Sequence, residues 1–180
     1  MSAVIRQPVV GGITGGAGTS MIAAMIDGYD VGKIAGDGTD VVDVLLTRSV
    51  DSAVKDAIAA ATAMPVRPVL VVVAHSPERW PAPVTQRLKM AEPNLPGVIH
   101  VSWISFLAGC VDPWSELVSG IYQQYPPKWA AIARQERERI VAAVTPLVMR
   151  PAVVLDSAAG DTAAADDDSM PDDPPRARVS

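Results

Sequence analysis

Apolar residues fall into two rhythms along the first 150 positions, short near-continuous runs and stripes at helical spacing, and the two alternate. Val9 to Thr14 predicts a first strand, and Thr19 to Ile26, with Met21, Ile22, Met25 and Ile26 on one face, predicts the helix it feeds. Gly28 ends that helix. Tyr29 to Asp40, holding Gly32, Gly36 and Gly38, reads as an irregular connection. Val41 to Thr47 is the second strand. Ser49 is the expected cap of a helix from Asp51 to about Ala63, with Val54, Ile58 and Ala61 facing the core. The β-branched run Pro68 to Ala74 predicts a strand covered on both faces, followed by a short helix over Val84 to Ala91.

Val98 to Ile104 alternates, with Ile99, Val101 and Trp103 on one face and His100 and Ser102 on the other, which places it near a sheet edge. Phe106 to Pro127 reads as loop with scattered aromatics. A last helix from Lys128 to about Val148 carries Trp129, Ile132, Ile140, Val144 and Leu147 on one stripe around a charged centre, Arg134 and Glu136 to Arg139, with Pro146 expected to kink or end it. The order β-α-β-α-β-α-β implies right-handed crossovers and an α/β fold, a three-layer open and mostly parallel sheet.

Composition sharpens the boundaries. The 180 residues, 49% hydrophobic and 19% charged, suffice for one full core and not for two, so residues 1–149 are assigned to a domain and 150–180 to an Asp/Pro/Ala-rich tail expected to be disordered. Six aspartates and two arginines between Ser157 and Ser180 put −4 of the chain's net −5 in this stretch. The near-neutral remainder argues against direct nucleic-acid binding, which rests on phosphate neutralisation. One cysteine, Cys110, and two histidines, His75 and His100, leave no disulfide framework and little metal chemistry. No export signal or membrane-spanning run is visible, and the expected setting is cytoplasmic.

The stretch Pro8 to Met21 joins a strand, a glycine-rich loop and a helix, an arrangement that cradles phosphate. Within it, Thr14-Gly15-Gly16-Ala17-Gly18-Thr19-Ser20 resembles the deviant phosphate loop of the MinD/ParA group of P-loop NTPases, Lys-Gly-Gly-x-Gly-Lys-Ser/Thr. Asp40 to Ala53 looks like the strand and helix that follow the Walker B region of that group, and the likeness, greatest to shortened MinD-like proteins of actinobacteria, spans about two thirds of the chain. The resemblance implies a P-loop NTPase-like domain, ATP and Mg2+ as cofactors, and a nucleotide-dependent switch that dimerises and positions a protein partner. It makes Gly15, Gly16, Ala17, Gly18, Thr19 and Ser20 the phosphate-binding residues, with Ser20 also the metal ligand.

Three departures weaken the enzymatic reading. Thr14 and Thr19 stand where the group has lysines, about a dozen residues separate the first helix from Asp40 and leave no room for the strand that ends in a magnesium-binding Asp, and there is no basic surface for DNA. Arg48 and Arg79, after the second and third strands, are candidates for the missing positive charge at the sheet edge where α/β folds bind ligands. His75 near Ser20 is a weaker candidate base, since a histidine at a strand end usually bonds locally. Cys110 and the four tryptophans, Trp80, Trp103, Trp114 and Trp129, read first as core. No nucleophile-base-orienter set is present, so no catalytic residue is named. The expected function is a degenerate MinD/ParA-like protein acting as a regulatory or scaffolding partner with weak or no ATP hydrolysis. The alternatives are two: a slow ATP-dependent dimerisation switch, that is, a weak ATPase working as a homodimer, and a small enzyme acting on another phosphorylated ligand.

Overall fold

The structure, a computed structural model, describes residues 6–149. Five parallel strands, β1 (Val9–Gly12), β2 (Tyr29–Lys33), β3 (Val44–Arg48), β4 (Val69–Val73) and β5 (Val98–Val101), form one sheet in the order β2-β1-β3-β4-β5. Helices α1 (Thr19–Ile26), α2 (Asp51–Ala63), α3 (Ala82–Ala91), α4 (Ser105–Ala108), α5 (Pro113–Tyr122) and α6 (Lys128–Val148) cover its faces, with a 3-10 turn at Glu92–Asn94. The chain moves one way along the sheet from β1 to β2 and the other way from β3 to β5. With crossovers of one hand, this puts α1 and α2 on opposite faces. The core follows that division: α1, α5 and α6 pack with Val44, Leu46, Val71 and Val101, whereas α2 and α3 pack with Leu45, Leu70 and Val72. The expected three-layer open α/β sheet is thus present, and it is parallel throughout.

β4 is covered on both faces, and β5, which among the described residues pairs with β4 alone, is the edge its alternation indicated. Two segments differ from the sequence reading. Tyr29–Lys33, expected to be irregular, is the edge strand β2, whose register on β1 slips between Val10 and Gly11 opposite Gly32. A four-residue helix and a full one, α4 and α5, occupy most of the segment read as loop; Asp112 caps α5 by accepting the Ser115 N–H at 3.1 Å, and Leu117, Gly120 and Ile121 form its buried face. Pro146 does not end α6 before Val148, because so near the C-terminus its missing N–H costs a single bond. Ser49 does not cap α2 either, its hydroxyl being engaged by His75 at 2.8 Å. The tail at 150–180 lies outside the described residues.

The charged centre of α6 ties helix ends together. Arg134 donates to the carbonyls of Ile121 and Gln123 at the end of α5, and Arg137 donates to the Met25 carbonyl at the end of α1 at 2.6 Å while lying 5.8 Å from the Tyr122 ring centre. Each guanidinium meets carbonyls that the helix leaves unpaired, at the negative end of its dipole. Arg137→Ala is expected to lower stability by about 2 kcal/mol, the scale of a charge-assisted hydrogen bond. Urea denaturation of both proteins measures it.

Candidate functional site

β1 ends at Gly12 and the loop 13–18 turns over its carboxyl end into α1. Ala17 is buried and anchors the loop in the core, whereas Gly15 and Gly16 are exposed. Gly16 and Gly18 have φ of 69° and 81°, left-handed values that side chains resist. Gly15 lacks that constraint, and a Cβ on Gly15, Gly16 or Gly18 would meet no atom within 4 Å. The space above the loop is therefore open. Gly18 is the N-cap of α1 with no side-chain cap bond, and no acidic residue stands in the first turn, so its amide groups and positive dipole end are not neutralised by the helix itself.

The two threonines at the lysine positions do not replace ammonium groups. Thr19 folds back over the strand, its Oγ1 only 2.6 Å from where a Gly12 Cβ would lie, and the Thr14 Oγ1 is buried without a hydrogen-bond partner. Ser20 is exposed and donates to Asp30 Oδ2 at 2.5 Å, while Asp30 Oδ1 accepts the Gly32 N–H at 2.7 Å. A carboxylate beside Ser20 is thus supplied by β2, directly after α1, from the segment the sequence reading left without a strand. Tyr29 and Val31 facing outward on either side of Asp30 were the signal for it. A hydroxyl and one carboxylate suit Mg2+ only if phosphate and water complete its octahedron. Among the described residues no three His, Cys, Asp or Glu side chains gather as a metal cluster.

Arg48 and Arg79 are not brought together. Ile13 N donates to Leu46 O, and Arg48 follows two residues on with the same facing as Leu46, toward α1, at the carboxyl end of the strand next to β1. Its partner in register, Val73, helps line a cleft of about 380 Å3 that Gly18 and Met21 close from the loop side and Trp103, Ile104 and Leu107 from the other. Arg79 lines a different cleft with Trp80 and His100. His75 bonds Ser49 rather than Ser20: its N–H donates to the Ser49 Oγ at 3.2 Å and its Nδ1 lies 2.8 Å away. Because Ser49 is buried, the pair fastens the ends of β3 and β4 instead of offering a nucleophile.

The 103–114 segment frames the cleft without covering the glycine loop. None of the four tryptophans is fully buried; Trp103 and Trp114 are 37% and 45% exposed, and Phe106, 45% exposed, stacks on Trp129 at 4.7 Å. Cys110 also lines the cleft, its thiol donating to the Phe106 carbonyl. The sequence reading missed Glu136. It sits 4% exposed on α6, with Oε1 accepting the Ser102 N–H at 2.7 Å above β5 and Oε2 buried without a partner.

Burial pushes the Glu136 carboxyl above its ordinary range, against the opposing pull of the Ser102 N–H and Arg139. The folded chain therefore holds this proton more tightly than the unfolded chain, so the stabilising contribution is full in acid and declines as pH rises through the folded value. Glu136→Gln keeps the acceptor for Ser102 and removes the titration. Thermal melts from pH 4 to 7 should show the variant gaining on wild type as pH rises, and a gap that closes instead would assign control to the Ser102 bond.

Among the described residues no helix is long and apolar enough to cross a membrane. No protein-family model matches the chain, and no curated protein or solved structure matches it either.

Proposed function

We propose that this chain is a degenerate phosphate-loop protein of the MinD/ParA type that binds a nucleotide phosphate at residues 15–20 and does not turn it over, serving as a regulatory partner of another protein. The carrying observation is the start of α1, which has no side-chain cap of its own, below three glycines whose outer face is open, with the Asp30 carboxylate held by Ser20 to one side. Convergent amides and a helix dipole favour an anion there without lysine. The adjoining apolar cleft suits the non-phosphate part of such a ligand. Arg48 supplies the positive charge that the loop lacks. The exposed Trp103, Phe106 and Trp114 beside the cleft support a protein partner, since aromatic residues dominate binding energy at interfaces.

The Ser20–Asp30 pair favours one further reading, a Mg2+-dependent switch in which ATP drives dimerisation and is slowly hydrolysed. On either reading Ser20 holds the metal's protein-side oxygen and Asp30 orients that hydroxyl or joins it. The magnesium ion would offset phosphate charge when bound.

Calorimetric titration with ATP and ADP, with and without Mg2+, separates these readings when paired with phosphate-release and sedimentation measurements. Saturable binding with no phosphate release supports the first; release with ATP-dependent dimers supports the second. Arg48→Ala should weaken binding about tenfold, the effect of losing roughly 1.4 kcal/mol of charge-assisted contact, and Arg79→Ala should leave it unchanged. The reverse ranking would remove Arg48 from the site.

A further inference from the structure

The outer edge of β5, unpaired among the described residues, bears a cationic groove that the glycine loop does not share. One cleft of about 410 Å3 is lined by Arg79, Trp80 and His100, and an adjoining one of about 270 Å3 by Lys89, Glu92 and Arg139; Thr85 and His100 belong to both. Lys89 comes from α3 and Arg139 from α6, helices on opposite faces, so the groove straddles the edge of the sheet. Three permanent cations face one carboxylate, and neither ion pair among the described residues involves any of the three. His100 lies at 4.6 Å from the Trp80 ring, and burial together with Arg139 makes it harder to protonate, while Glu92 acts in the other sense.

The described chain ends beyond the amino end of β5, below this groove. Glu136 reaches Ser102 beyond the carboxyl end of β5, and Ala143 packs at 3.3 Å from a Cβ placed on Gly97 just before the strand, so α6 runs antiparallel to β5 and Met149 follows at its foot. Beyond it the sequence holds Asp161, Asp166, Asp167, Asp168, Asp172 and Asp173. The twelve residues from Met149 to Asp161 span at most roughly 40 Å, several times the roughly 13 Å of a four-residue strand.

We propose that the groove along the outer edge of β5 is the docking site for this chain's own acidic segment, residues 161–173. The attraction joins opposite charges on one chain, and the tether holds the aspartates near the groove at a millimolar-scale effective concentration. Docking there also shields a strand edge that otherwise presents unpaired backbone groups to other chains. Because the groove is open to solvent, the contact weakens with salt.

The test compares the full chain with a full-length variant in which Asp166, Asp167, Asp168, Asp172 and Asp173 are all asparagine, by two-dimensional NMR at 25 mM and 500 mM NaCl. At low salt the amides of Thr85, Lys89 and His100 should differ between the two proteins, and His100 should titrate on the order of half a pH unit higher in wild type, as nearby partly screened carboxylates require. Both differences should vanish at high salt and be independent of protein concentration. Differences confined to another face, or none at all, would overturn the proposal; differences that grow with concentration would overturn the own-chain occupant and assign the groove to a second copy's tail.

Discussion

Gly15→Val is expected to reduce nucleotide affinity a hundredfold or more while leaving the unfolding free energy within about 0.5 kcal/mol of wild type. The fold does not require this glycine. Gly15 is exposed, has no left-handed backbone angle, and would meet nothing within 4 Å if it carried a Cβ. A branched side chain there costs the folded protein little, yet it fills space a phosphate would occupy against the loop amides. Each charge-assisted bond it displaces is worth about 1.5–3 kcal/mol, so losing one or two accounts for the hundredfold change. Gly18 is a poorer probe, because at φ 81° any substitution strains the loop and confuses misfolding with lost binding. Calorimetry and urea denaturation of the same preparation supply the two readings. Equal affinity in the variant would mean that the ligand does not touch the loop.

Gly120→Val is expected to destabilise the fold by about 3 kcal/mol and to disturb the apolar cleft. Gly120 is buried in α5 where that helix meets α6, and a Cβ there would lie 2.5 Å from Trp129 Cη2 and 3.0 Å from Ala130 Cβ. The indole is held against Phe106, so it cannot simply swing away. Overpacking of this kind costs about 1–3 kcal/mol, and the branched side chain puts this site at the upper end. As α5 also packs on α1, displacing it moves the helix whose first turn borders the glycine loop. A drop in the urea midpoint accompanied by weaker nucleotide binding is the expected pair of results, whereas an unchanged midpoint would show that α5 and α6 are looser than their contact implies.

The central layers follow directly from the chain's hydrophobic pattern because burial on both faces leaves no polar position to obscure it. Val69 to Val72 is fully buried, and Leu45 and Leu70 supply one core as Leu46 and Val71 supply the other. Periphery was harder to read. β2 exposes Tyr29 and Val31 and contains Gly32 at a register slip, so its alternation is short, turns its apolar residues outward and is interrupted by a glycine. The helix α5 was signalled by Asp112-Pro113 and by Leu117, Gly120 and Ile121 three and four residues apart, but the surrounding aromatics and the two prolines at 126 and 127 masked it.

The candidate site divides in the same way. Glycines 15, 16 and 18 and Ser20 are local in sequence, and the strand-loop-helix that carries them was read from neighbouring residues alone. What depends on distant contacts was not: Asp30 meets Ser20 only because β2 pairs beside β1, and Ser49 is removed from its helix by a histidine 26 residues away. Glu136 read only as part of the charged centre of the last helix, yet α6 turns it onto the end of β5. Arg79 looked equivalent to Arg48, and the sheet order parts them.

The most direct measurement is an amide NMR titration of the full chain with MgATP. Saturable shifts are expected, centred on Gly15, Gly16, Gly18 and Ser20 and extending to Arg48 and to Trp103 in the adjoining cleft, with no release of phosphate. Loop amides that stay fixed up to millimolar nucleotide, or shifts gathered on a different face, would contradict it.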